Sequence, residues 1–125
     1  GGWAVTGPSE VTAQEGGSLS VSCSYKPEYK LKPKFWCQPA FFWKCYTYIA
    51  QTNGSEAAVT QGRVSIRDNH TALTFTVTMS GVRLGNEGWY SCGVKRILLH
   101  RLWHIKVLIS PGTAIEMSRT RGSAN

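Results

Sequence analysis

Between Ser18 and Ser24 the chain alternates without a break. Leu19, Val21 and Cys23 fall on one face, and Ser18, Ser20, Ser22 and Ser24 on the other. Successive side chains of a strand point to opposite faces, so an apolar/polar repeat of two predicts a half-buried strand. Gly16-Gly17 just ahead of it predicts a turn. The alternation returns from Leu73 to Met79, with Leu73, Phe75, Val77 and Met79 in phase and Thr74, Thr76 and Thr78 between them. Arg63 to Arg67 reads as a short alternating strand before a turn-like Asp68-Asn69. Lys34 to Gln38 and Trp43 to Ala50 are aromatic-rich and flank Pro39-Ala40, which predicts a hairpin. Trp89 to Lys95 and Leu102 to Ile109 complete the strands. No long helical stripe interrupts them. Short strands at regular spacing predict an all-β antiparallel sandwich over residues 1–110. Pro111 to Asn125 has no periodicity and reads as a stalk or linker.

The length of 125 residues fits one domain with one sizeable core, and an apolar fraction of 42% is that of a folded protein. No apolar run approaches the roughly 18 residues of a membrane span. The start lacks the basic-then-apolar pattern of a signal peptide, so if the protein is secreted or membrane-anchored this is expected to be a processed or excised piece of it. Four cysteines, Cys23, Cys37, Cys45 and Cys92, form an even set without the C-x2-4-C pair of a structural zinc site. Two disulfides and an oxidising compartment follow. The sequons Asn53-Gly54-Ser55 and Asn69-His70-Thr71 make Asn53 and Asn69 candidate glycosylation sites on the surface. The net charge of +7 points to an acidic partner: anionic phospholipid, sialylated glycan or an acidic protein face. No nucleic-acid motif accompanies that charge, so nucleic acid is not an expected partner.

One constellation specifies the sandwich. Trp36 follows Cys23 by thirteen residues, and Cys92 closes the run Asn86-Glu87-Gly88-Trp89-Tyr90-Ser91-Cys92. This run resembles the immunoglobulin D-x-G/A-x-Y-x-C signature and implies a V-type immunoglobulin β-sandwich. Cys23 and Cys92 then bridge the two sheets and Trp36 packs against the bridge, while Tyr90 returns its hydroxyl to the backbone. Gly88 is expected to leave room where the chain enters its strand. A loop this long gives about 4 kcal/mol of stabilisation in the chain-entropy model. Asn86 stands where the signature has Asp, whose usual partner is an Arg, here Arg63. A neutral acceptor there is expected to be weaker by roughly 1 kcal/mol.

If Trp36 points inward, Cys37 points outward. A bridge to Cys45 on the next strand would staple the hairpin, worth roughly 2.5 kcal/mol. Phe35-Trp36-Cys37-Gln38, Gly62 to Asn69 and Phe75 to Met79 resemble the leukocyte mono-Ig-like (CMRF-like) myeloid receptors, relatives of the polymeric immunoglobulin receptor and of the triggering receptors of myeloid cells. Thr6 to Val11 and Gly17 to Val21 are similar as well, so the resemblance covers about residues 5 to 110. It implies the extracellular side of a cell membrane (or a secreted form) and anchoring by segments outside this chain. It also implies regulation of leukocyte activation and pairing as a homo- or heterodimer with related receptors. Two positions depart from the family: Ser91 stands where Trp is usual, with Trp89 nearby, and Leu102-Trp103-His104 replaces a Gly-x-Gly.

Three loops should gather at one end of such a sandwich, roughly residues 26–33, 51–56 and 96–101. The candidate ligand residues are Lys30 and Lys32 in the first, and Lys95, Arg96, Leu98, Leu99 and Arg101 around the third. Two readings of the third loop stand side by side. In one, Leu98 and Leu99 insert into a membrane surface while the cations meet phosphates. In the other, Ile97 and Leu102 close the end of the core and the charges are solvated. Phe41, Phe42, Trp43 and Trp89 form an aromatic surplus that marks an interaction face or packs around the Cys37–Cys45 bridge. The third loop has no Asp or Glu to hold calcium. His100 and His104 share a face by parity with no third ligand, so no metal or cofactor is expected. No nucleophile–base arrangement is present, so no catalytic residue is expected. The function expected is ligand binding by a receptor domain for lipid or protein. Polymeric immunoglobulin (IgA or IgM) binding and homophilic or cis pairing are the alternatives.

Overall fold

The computed structural model describes residues 3–112. From residue 113 on, the expected stalk lies outside the described residues. Among the described residues there are ten strands: β1 (Val5–Thr6), β2 (Glu10–Gln14), β3 (Leu19–Tyr25), β4 (Lys34–Cys37), β5 (Ala50–Gln51), β6 (Val59–Gln61), β7 (Val64–Asn69), β8 (Thr74–Met79), β9 (Gly88–Val94) and β10 (Arg101–Ser110). They form a back sheet in the order β1-β3-β8-β7-β6 and a front sheet in the order β2-β10-β9-β4-β5. The core lies between the two sheets.

The strongest alternations carry the back sheet. Leu19, Val21, Cys23 and Tyr25 of β3 and Phe75, Val77 and Met79 of β8 are all buried, and their polar neighbours are not. Val21 lies opposite Val77 and Cys23 opposite Phe75, so the inward residues meet as cross-strand pairs. Each fully buried aliphatic or Phe side chain contributes about 1.5–3 kcal/mol. The amino-terminal edge changes sheets: β1 pairs antiparallel with β3, whereas β2 pairs parallel with β10. Gly7 sits at the crossing, where a Cβ would approach Cys23 Sγ to 3.0 Å.

Cys23 and Cys92 join the sheets, with their Cα atoms 6.6 Å apart. Trp36 lies opposite Cys92 in register, and its ring stacks on Tyr90 at 5.0 Å. The Tyr90 hydroxyl donates to the Asn86 carbonyl at 2.7 Å, which closes the corner the signature implies. Cys37 and Cys45 form the second disulfide.

Four local expectations change. Asp68 and Asn69 belong to β7, opposite Phe75 and Thr74, because the turn lies at residues 70–73, where Leu73 takes a φ of 55°. The Asn69 side chain caps that turn by accepting from the Thr71 and Ala72 amides. The aromatic hairpin is short: only Ala50–Gln51 pairs with β4, and Cys45 lies in a loop. Phe42 and Trp43 adopt φ of 57°, which breaks the extended run that their β-propensity suggests. Asn86 does not bond Arg63. Its side-chain oxygen accepts from the Arg83 amide at 2.8 Å within its own turn, and Arg63 Nη1 donates to the Gly81 carbonyl. Gly88 is needed for its φ of 148°, not for space, since a Cβ there would meet nothing within 4 Å.

Candidate ligand-binding surface

The first loop begins with Pro27 in a single turn of 3-10 helix, Pro27–Tyr29, and drives Tyr29 into the core. Its base is held from below by a lysine. Lys34, at the start of β4, is fully buried, and its ammonium donates to the Lys30 carbonyl at 3.0 Å, the Lys32 carbonyl at 2.8 Å and the Asp68 carboxylate. Asp68 also accepts from the Tyr25 hydroxyl at 2.7 Å, and the ammonium lies 4.2 Å above the Tyr25 ring. All three ammonium protons therefore have partners, which is the condition for burying such a charge. Burial pulls the Lys34 ammonium below the ordinary lysine range, with the Asp68 bond opposing that shift. The sequence reading passed over this network. The signal was there, since Lys34 has the same parity as the inward Trp36, but a lysine at a strand start is usually solvated.

The other two loops lean on the first. Gly54 packs so closely that a Cβ would fall 2.3 Å from the Leu31 carbonyl oxygen. His70 ties the second loop to β7 through Nε2 and the Gly54 carbonyl at 2.9 Å. The Lys95 amide donates to the Pro33 carbonyl at 2.9 Å. The Lys95 side chain is turned to the Gln51 side-chain oxygen and lies 4.1 Å over the Tyr48 ring, so it supports the third loop from the side. His100 Nδ1 accepts from the Arg96 amide at 3.0 Å and closes that loop. Partial burial and the Lys95 charge hold His100 below the ordinary imidazole range.

These anchors leave the candidate side chains outside. Ile97, Leu98 and Leu99 are 91%, 88% and 62% exposed, so Ile97 does not close the end of the core. The turn closed by His100 directs it away, and only Leu102 is half-buried. Lys30, Lys32 and Arg101 are exposed, and Arg96 is half-buried with its guanidinium 5.9 Å from the Tyr29 ring. Asn53 and Asn69 are both exposed. Among the described residues no metal-type group of His, Cys, Asp and Glu gathers.

A second surface lies on the outer side of the front sheet. Trp43 packs edge-to-face on Trp89 at 5.4 Å and lies 5.0 Å from the His104 ring. Phe41 and Phe42 are 80% and 87% exposed, so they do not pack around the Cys37–Cys45 bridge. Ser91 is buried and hydrogen-bonded to His104 Nδ1 at 2.6 Å, and burial holds that imidazole below its ordinary range. The two departures from the family pattern thus meet on this face.

The immunoglobulin V-set domain model matches residues 6–102. The chain belongs to that family. Its sequence relatives are the CMRF35-like molecules. It is 41% identical to CMRF35-like molecule 3 of Mus musculus over 86% of this chain and 43% of the relative. It is 39% identical to CMRF35-like molecule 5 of Homo sapiens over 91% and 58%. The chain thus spans less than two thirds of those relatives. The first immunoglobulin domain of the mouse polymeric immunoglobulin receptor superposes with a TM-score of 0.72 at 24% identity, covering 88% of this chain and 96% of that one. This likeness concerns the fold. The V-set domain is therefore of a non-enzymatic receptor type. Among the described residues no helix is long and apolar enough to cross a membrane.

Proposed function

We propose that this V-set domain is the extracellular recognition unit of a leukocyte receptor whose loop tip docks on an anionic phospholipid surface. The reading rests on the exposed Ile97-Leu98-Leu99 run, set between Arg96 and Arg101 and held on a braced loop. Three adjacent exposed aliphatics are costly in water and gain about 0.8 kcal/mol per methylene when they enter an acyl boundary. Each nearby cation adds about 1 kcal/mol against an anionic surface. Arg96, Arg101, Lys30 and Lys32 supply that charge, and Lys95 positions the loop.

Flotation with phosphatidylcholine vesicles, with and without phosphatidylserine, tests the reading. Binding is expected only with phosphatidylserine and is lost in a Leu98→Ser/Leu99→Ser variant. Equal binding to both vesicles would reject the anionic headgroup, and no binding to either while IgM or IgA is captured would reject the reading in favour of the polymeric-immunoglobulin alternative.

The aromatic front face supports a second contact, pairing with another V-set domain of a related receptor through Phe41, Phe42 and Trp43. Phe42 and Trp43 hold left-handed backbone that presents these rings outward, and such strain persists where surrounding structure imposes it. Asn53 and Asn69 are both exposed, as glycan acceptors must be.

A further inference from the structure

Beside the tip, where β1 begins, lies a cleft of about 660 Å³, within the range of small-ligand sites. It is lined by Trp3, Lys26, Glu28, Tyr29, Arg96 and Arg101, among others. Trp3 is 70% exposed and has one aromatic neighbour. Its ring stands edge-to-face on Trp103 at 5.6 Å, and Trp103 Nε1 donates to the Pro8 carbonyl at 3.0 Å. Lys26, Arg96 and Arg101 bring three positive charges against the single carboxylate of Glu28. Among the described residues none of these four is in an ion pair. Arg96 lies near the Tyr29 ring, half withdrawn from water, which favours a planar, bidentate bond to a carboxylate.

The lining therefore asks for an anion with an apolar C–H face and hydroxyl donors on the same small body. A phosphoester headgroup meets the charge but has no face for the indole. An acyl chain has no use for Lys26 and Glu28. We propose that the cleft is a subsite for an acidic sugar of the sialic-acid type. Its carboxylate sits on the Arg96 guanidinium, its C–H face on Trp3, and its hydroxyls on Glu28 and Lys26. The site flanks the tip and shares only Arg96 and Arg101 with the lipid-docking reading, so either can fail alone.

Saturation-transfer NMR and titration of the 125-residue chain with 3′-sialyllactose, lactose and O-phosphoserine test it. Sialyllactose is expected to receive saturation and lactose not. Arg96→Ala should weaken binding roughly tenfold or more, as the loss of a charge-assisted pair implies. Arg96→Lys should recover it only in part, because an ammonium lacks the paired donors. Trp3→Ala should lose the sugar while retaining phosphatidylserine vesicles, and Leu98→Ser/Leu99→Ser should do the reverse. Equal response to lactose, no saturation transfer, indifference to Trp3→Ala, or displacement of the sugar by O-phosphoserine at equal concentration would each overturn the assignment.

Discussion

The Lys34 ammonium and the Asp68 carboxylate meet as a fully buried ion pair that joins the front sheet to the back sheet directly beneath the first loop. The same ammonium holds two carbonyls of that loop, at Lys30 and Lys32, so the pair sets the loop's path as well as linking the sheets. Removing one partner leaves a buried charge without compensation, at a cost of about 3–5 kcal/mol. Lys34→Met and Asp68→Leu should each lower stability by that amount in urea unfolding, and Lys34→Met should also disorder the 30–32 backbone in amide exchange. The Lys34→Met/Asp68→Leu double variant should regain much of the loss, because two apolar groups replace the pair. Simple additivity of the single costs would show that the two groups do not act as a pair.

Three phenols should resist ionisation. Burial, followed by the Asp68 hydrogen bond, raises Tyr25, and burial raises Tyr48 and Tyr90. In the unfolded chain each ionises near 10. The folded form therefore holds its protons longer, and the stability this contributes is complete below about pH 10 and lost as pH rises beyond it. Absorbance titration should show the signal of these tyrosines delayed above the ordinary range and appearing with loss of the fold. Tyr25→Phe should remove one delayed phenol. Ionisation of all the tyrosines in one step near 10 with the fold intact would contradict the burial of these rings.

Gly54 couples the second loop to the first. Its φ of 98° and the Leu31 carbonyl in the place of a Cβ exclude a side chain. Gly54→Ala leaves the Asn53 sequon intact and should still destabilise the domain by about 1–3 kcal/mol through strain. The midpoint of thermal unfolding checks this, and an unchanged midpoint would mean that the two loops move independently.

The Ser18–Ser24 and Leu73–Met79 alternations marked β3 and β8, because core positions repeat locally along a strand, and the Cys23, Trp36, Tyr90 and Cys92 constellation marked the sandwich through its resemblance to the immunoglobulin signature. Three of the four edge strands, β1, β2 and β6, left little trace. They are short and bury few side chains, so their pairing depends on a neighbour rather than on their own pattern. Positive charge and exposed-looking aliphatics in the third loop were likewise visible in the chain. Their surroundings were not.

What the sequence by itself determined is the fold, its disulfides and the position of three loops at one end of the sandwich, since alternation and motif spacing are written in the order of the residues. Only the tertiary structure decided that Lys34 turns inward to Asp68, that Lys95 braces a loop, that Asn86 serves its own turn and that Trp3 and Arg96 line one cleft. All but the Asn86 turn depend on residues far apart in the chain, whose contact is set by how the two sheets pack.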